Sequence, residues 1–454
     1  MAIDRRRLLA VSALSGTVPG AMSFATPASA VPLSSFGIDA TQLGVRAGGA
    51  DDQSKALQRA IDQTAGARVP LILGPGVYLA GDLKLPAGAQ ILGIRGATRL
   101  IFTQGASLIS GNGIDHVTLS GLLFEGSRKP LPEGRGLIHL TAATDLRISD
   151  CEVLNSSRHG LKLEGVGGSI TGNTIDGSAE TAIHTLDGRG LAISNNIVRN
   201  AGNNGIQIWR SERGDDGTLV SDNRIDSIFA RAGGSGQNGN GINVFRAANV
   251  MVRGNRISNA AFSAVRGNAA SNIHMVGNSA TGLGEVAFYA EFGFEGAVIA
   301  NNSVESASLG ISVTNFNEGG RLAVVQGNLL RGLNQKRPAG TDPNDAWGVG
   351  ISVEADAAVS GNVVENAPNA GIMVGWGQYM RDVSVVGNVL RTVGYGVTIS
   401  VAAGAGTAVI ANNLIAGAAR GAIVGMDLAK AVTGDLNKDA SRYAQLSISG
   451  NRVR

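Results

Sequence analysis

Short apolar strands recur along this chain, separated by turns in which asparagine keeps one place. SITGNTI (169–175) returns as LAISNNIV (191–198), LVSDNRI (219–225), VMVRGNRI (250–257) and onward to LSISGNRV (446–453), with fainter copies upstream at VTLSGLLF (117–124) and LRISDCEV (146–153). The asparagine falls at 173, 196, 223, 255, 278, 302, 328, 362, 388, 413 and 451, a base period of about 22–26 residues with longer steps where segments are inserted. A second strand lies between successive asparagines: HGLKLE (159–164), NGIQIW (204–209), NGINVF (240–245), VAFYAE (286–291), YGVTIS (395–400). Units this small cannot bury an apolar face alone, so copies must stack. Stacked parallel strands with inward Ile, Val and Leu predict an all-β fold, a right-handed single-stranded parallel β-helix. Asparagines stacked at the coil spacing of about 4.8 Å bond one another and the turn backbone, so they read as scaffold. A leucine-rich repeat needs denser leucine and a WD repeat needs recurring Trp-Asp; neither pattern is here.

Ahead of the coils, DDQSKALQRAIDQTAGA (51–67) carries apolar residues at 56, 57, 60 and 61, an Asp cap and Gly66 as a stop. It predicts one amphipathic helix laid over the open end of the core. The organisation that follows is an export signal over 1–30, an N-terminal cap with first strands over 31–100, and repeats over 101–454.

Register then sorts the second strands. Taking the Gly or Ala that opens the G-I-x-V stretch of each as zero (Gly160, Gly205, Gly241, Ala287, Gly396), +1 and +3 face inward while +2 and +4 face out. The +2 row runs Lys162, His184, Gln207, Asn243, Arg266, Tyr289, Ser312, Ser352, Met373, Thr398; the +4 row runs Glu164, Leu186, Trp209, Phe245, Asn268, Glu291, Thr314, Glu354. Large functional groups gather in the coils up to 291, and small ones follow. Two insertions, RSERGDDG (210–217) and ARAGGSGQNGN (230–240), flank the same coils and predict the walls of a groove.

Trp209-Arg210 and Phe245-Arg246 end two copies of one phrase. Aromatics beside amides and arginines suit an elongated sugar polymer, stacking on ring faces while arginine pairs with carboxylates. That chemistry points to a lyase or C5-epimerase acting on an acidic polysaccharide. Arg266 and Arg246 would neutralise the carboxylate, and Tyr289 or His184 would move the proton. Asn243, Arg266 and Tyr289, on consecutive coils, form the expected reaction centre; His184, three coils from Arg266, joins Gln207, Trp209, Arg210 and Phe245 in binding substrate, with Glu291, Asp187 and Glu164 beside them. Glycoside hydrolysis stays open through Glu164 and Asp187 on adjacent coils, whereas Asp187 and Glu291 lie four coils or about 19 Å apart, too far for a carboxyl pair. A non-catalytic polysaccharide-binding or envelope protein is the third reading.

The amino terminus places Arg5-Arg6-Arg7 before an apolar stretch and Ala28-Ser29-Ala30, which predicts twin-arginine export, cleavage near Val31 and a periplasmic or secreted protein. Its partner on the way out would be the twin-arginine translocase. Without the signal, 38 basic and 35 acidic residues become 35 and 34, and so near-neutral a chain offers nucleic acid no basic stripe. No later apolar run is long enough to span a membrane. Cys151 is the only cysteine, so no internal disulfide forms. No cofactor motif occurs, and a Ca²⁺ ion near Asp215-Asp216 stays open. The stretch 427–445 interrupts the coils as a lid or partial cap, and a thinly covered far end would permit end-to-end self-association.

Residues 44–94, with ADDQSKALQRAID, GPGVYLAG and LKLPAGAQILGI, resemble the capping start of pectate-lyase-like β-helix proteins. From RRRLLA through the repeated GN turns, nearly the whole chain resembles a family of twin-arginine-translocated repetitive β-helix proteins. The resemblance implies export and fold, and no chemistry.

Overall fold

The computed structural model describes residues 36–339, 341 and 345–454; the export signal read over 1–30 lies outside them. Parallel ladders wrap a continuous core. One sheet has 16 strands in chain order, from Ile38–Asp39 to Leu446–Ser449. Two further ladders make up a 27-stranded sheet and fuse where Val363–Val374, Val389–Ser400 and Leu414–Asp427 bend through both faces. The +1 and +3 positions, such as Ile206 and Ile208 or Ile242 and Val244, are fully buried.

The polar spine runs inside this stack. Each ladder asparagine donates its backbone N–H and its Nδ2 to the Oδ1 of the next, as Asn223 does to Asn255 at 3.0 and 2.9 Å, and donates again to a strand carbonyl, here Ile193 O at 2.9 Å. Cys151 takes the first slot of the ladder, its N–H donating to Asn173 Oδ1 at 2.9 Å, which accounts for a lone buried thiol; burial pushes that thiol up to about 12. The residue before each ladder asparagine has a left-handed backbone, at Gly254 (φ 64°), Gly277 (φ 68°) and Asn301 (φ 56°), which is why the turns read GN or NN. Asn255→Ala removes the acceptor of two buried donors on Asn223, and urea unfolding should show a loss of about 2 kcal/mol.

The helix Ser54–Gly66 starts three residues later than the sequence pattern, with Asp52 Oδ1 accepting from Ser54 N at 2.8 Å. Its Leu57, Ala60 and Ile61 join the main core and close one end. At the other end the interrupting stretch does two things. Lys430–Asp435 folds back antiparallel on Leu414–Asp427, and Leu436 enters the core with Tyr443 packed against it.

Candidate functional site

The +2 row is a true ladder. Lys162 pairs with His184, then Gln207, Asn243, Arg266, Tyr289, Ser312, Ser352, Met373 and Thr398 follow coil by coil. It begins a coil earlier than the sequence reading, with His139 beside Lys162; the strand GLIHLT (136–141) carried that signal. In the +4 row Glu164, Leu186, Trp209, Phe245, Asn268 and Glu291 also stand on successive coils.

The two insertions, expected as walls, instead roof the row. From the first, Arg213 Nη1 reaches Gly293 O at 3.2 Å, and Ser211 O accepts from Arg246 Nη1 at 2.7 Å. From the second, Gly236 O accepts from Asn243 Nδ2 at 2.6 Å. Beneath them Gln207 and Asn243 are buried and occupied. Gln207 Oε1 accepts from Thr181 Oγ1 at 2.7 Å, and Asn243 Oδ1 from Trp209 Nε1 at 2.9 Å. Trp209 and Phe245 lie 5.7 Å apart, with Arg246 over Phe245 at 4.8 Å. Arg210 bonds Glu212 O, and Asp187 accepts from Ser211 N and Oγ at 2.9 and 2.8 Å, so both anchor the roof. Over Gln207 and Asn243 the expected groove is filled by the protein's own side chains, whereas Asp187 and Arg210 line open space with Asp215 and Asp216.

Arg266 does not stand ready for a substrate carboxylate. Its Nε and Nη2 grip Glu291 at 2.7 and 2.8 Å, and its Nη1 reaches Glu285 at 3.0 Å. Glu285 also accepts from Arg337 Nη1 at 2.9 Å, and Arg337 continues to Asp345 at 3.1 Å. Arg266, Glu285 and Glu291 are 6, 2 and 1% exposed, so the network is closed and Glu291 is no substrate contact either. Sequence reasoning missed Glu285, at the border of its strand, and Arg337, which arrives from an insertion 52 residues away. Asn243, Arg266 and Tyr289 do stand side by side on consecutive coils, but Asn243 and Arg266 are already bonded within the protein. Only Tyr289 opens outward, under Arg266 at 4.7 Å. Its hydroxyl has no hydrogen-bond partner among the described residues. Burial first, then Glu291, pushes this phenol well above its ordinary range, so it keeps its proton at neutral pH.

Upstream, the row ends in a buried basic cluster. Lys162 Nζ lies 3.4 and 3.3 Å from the two ring nitrogens of His184 and 3.3 Å from Glu164 Oε1. The His159 ring sits 4.9 Å from that of His184, its Nε2 facing Glu180 at 3.1 Å while its Nδ1 accepts from Thr181 N. Burial, then neighbouring cations, lowers His139 to about 4, His159 to about 3 and His184 to about 2. His184 is thus a neutral packing partner of Lys162 and Trp209, and Glu164 is the counter-ion of Lys162.

One open space, about 580 Å³, lies beside Asp187, Arg210, Asp215 and Asp216; another lies downstream, over the residues that looked bland. A cleft of about 520 Å³ has Ser312, Ser352, Met373 and Thr398 on its floor and Tyr289 at its upstream end. Small floor residues leave room that large ones would fill. One side carries Trp347 and Tyr395; the other carries Trp376 and Leu428, the latter from the turn that joins Leu414–Asp427 to Lys430–Asp435. Trp347 and Trp376 are 37 and 38% exposed. Tyr289, Met373 and Tyr395 pack on a small apolar cluster of Val286, Leu309, Val349 and Ala370, which stiffens the floor and one side. Arg420 stacks on Tyr395 at 4.3 Å. Two carboxyls line the cleft, Asp345 and Glu354. Burial raises Glu354, although its Oε2 accepts from Phe316 N at 2.7 Å.

Among the described residues no group of three or more His, Cys, Asp or Glu side chains could hold a metal ion. At the expected Ca²⁺ position, Asp215 Oδ1 accepts from Asn249 at 2.7 Å and Asp216 Oδ1 from Thr218 N at 3.2 Å. No helix among these residues is long and apolar enough to cross a membrane.

A family model described as "Right handed beta helix region" matches residues 98–225 and 212–390. No curated protein matches. Among solved structures, the N-terminal fragment of bacteriophage phi29 gene product 12 is similar over 93% of this chain and 71% of its own, at 16% identity and TM-score 0.55. The A-module of the Azotobacter vinelandii mannuronan C-5 epimerase AlgE4 is similar over 71% of this chain and 100% of its own, at 15% identity and TM-score 0.50. The catalytic unit of a GH87 α-1,3-glucanase from Streptomyces thermodiastaticus strain HF3-3 is similar over 94% and 69%, at 13% identity and TM-score 0.46. At such identities the likeness is one of fold.

Proposed function

We propose, from the premise that this chain belongs to the family of right-handed β-helix regions, that it is a carbohydrate-active protein. Its cleft over Ser312, Ser352, Met373 and Thr398 takes a stretch of acidic polysaccharide. The observation that carries this reading is the cleft itself: three aromatic side chains, Trp347, Trp376 and Tyr395, around about 520 Å³ of open space beside an exposed arginine. Aromatic faces stack on sugar rings, and a floor of four coils, about 14 Å from first to last, runs along the polymer. The AlgE4 module, named for its action on mannuronan, lends this reading its fold alone.

The reaction we favour remains a lyase or C5-epimerase step, carried by different residues from those the sequence singled out. Glu354, its carboxyl raised by burial, removes the proton beside the sugar carboxylate, and the protonated phenol of Tyr289 is the donor within the cleft. Glycoside hydrolysis is the second reading, favoured by Glu354 and Asp345 lining one cleft. Mass spectrometry of oligouronate digests separates them: unsaturated products mark the lyase, inverted C5 with unchanged mass the epimerase, and added water the hydrolase. Glu354→Gln should lower the rate about a hundredfold in any of the three. Absence of product from every acidic polymer, with binding retained, would leave a binding protein.

The export reading belongs to the same proposal. Membership of the twin-arginine-translocated repeat family, passage through that translocase and a periplasmic or secreted location would be checked by the N-terminus of the protein recovered from cells, expected near Val31 and lost with Arg5→Lys and Arg6→Lys together.

A further inference from the structure

Most arginines around the cleft face acids. Arg337 is met by Glu285 and Asp345, Arg381 and Arg321 by Asp356, Arg266 by Glu285 and Glu291. Arg420 has no acidic partner among the described residues, yet it is held in place from several directions. Its Nη2 donates to Pro368 O at 3.1 Å and to Asn369 O and Oδ1 at 2.7 and 3.2 Å, while the Tyr395 ring lies beneath its Cζ at 4.3 Å. Asn369 ties this cradle to the aromatic side of the cleft, because its Nδ2 donates to Trp347 O at 2.6 Å. Gly394 makes the fit: a Cβ there would collide with Pro368 O and with Arg420 Nη2. These bonds employ one guanidinium nitrogen and one face, and Nε and Nη1 keep their donors for something else.

A cation fixed by neutral groups and left without a counter-ion is arranged for a charge that arrives from outside. We propose that Arg420 is the specificity-determining residue of the cleft, binding the anionic substituent, carboxylate or sulfate, of a sugar unit lodged beside Tyr395 and Trp347. This rests on the cleft being an oligosaccharide site and adds which residue reads the charge and where. Orientation follows too: the charged unit lies at the downstream part of the cleft, over the coils of Met373 and Thr398, away from Tyr289.

Calorimetric titration of the full chain with an oligouronate, its carboxyl-reduced counterpart and a sulfated neutral oligomer tests this. The wild type should bind at least one anionic oligomer about tenfold or more above the reduced one. In Arg420→Gln that ratio should fall to near one with neutral binding kept, and Gly394→Val, which displaces the guanidinium, should do the same. Which anionic oligomer shows the larger ratio tells carboxylate from sulfate. An unchanged ratio in Arg420→Gln overturns the assignment to Arg420. If Trp347→Ala then still abolishes binding of all oligomers, the cleft stands without it; no binding of any oligomer to the wild type overturns both.

Discussion

Acidification from pH 7 to pH 4 should unfold the upstream coils first, at a loss on the order of 5 kcal/mol. His139, His159 and His184 are held neutral in the folded chain, at about 4, 3 and 2. In the unfolded chain each takes a proton near pH 6.5. The unfolded state therefore binds more protons over that interval. Stability is full above about pH 6.5 and falls as the pH drops toward the folded values. Burial sets the direction, and Lys162, Arg135 and Arg158 add to it by opposing a new proton; Glu164, 3.3 Å from Lys162, and Glu180, 2.7 Å from Arg158 and 3.1 Å from His159, face the cluster with the opposite charge. Trp209, 5.8 Å from His184, reports the event locally. Its fluorescence, with Trp347 and Trp376 replaced by Phe, should show a urea midpoint that falls with pH, and His184→Gln should flatten the slope. A midpoint indifferent to pH between 7 and 4 would sink the account. Because a stacked repeat melts by neighbourhoods, the cleft some coils downstream should outlast the cluster.

The coil and its register were legible because they rest on period alone. An asparagine every 22–26 residues fixes the stack, and a two-residue alternation fixes which side chains share a stripe, so Lys162 through Thr398 could be lined up by counting. What the stripe does was less legible. Whether RSERGDDG stands beside Trp209 or folds across it depends on where Arg213 lands, at Gly293 three coils away. That Arg266 is already paired depends on Glu285 and on Arg337, far off in sequence. Richness in functional groups also misled in a specific way. Large polar side chains on adjacent coils satisfy one another, whereas a cleft needs neighbours too small to meet, and serine or threonine in the row draws no attention. His139 and Glu354, each in its row, were within reach of the sequence; Trp347, Asn369 and Arg420 lie outside the counted positions.

Arg266→Ala should destabilise the chain by about 3–5 kcal/mol, the usual consequence of stranding buried carboxylates. Glu291 would lose both strands of its grip, and Glu285 would keep only Arg337. Neutralising the acids at the same time, with Arg266→Met, Glu285→Gln and Glu291→Gln together, should recover most of that loss, since no charge is then left unpaired except Arg337, which keeps Asp345. Tyr289→Phe provides the contrast. Its hydroxyl has no hydrogen-bond partner among the described residues, so stability should stay within about 0.5 kcal/mol while turnover falls if the phenol is the proton donor. Urea unfolding and activity measured on the same samples separate the two kinds of residue. If Arg266→Ala kept full stability and lost activity, the buried network would be functional and the cleft would have to include it; if it lost stability and the triple variant regained both, Arg266 holds the shoulder of the cleft in place and does not touch what binds there.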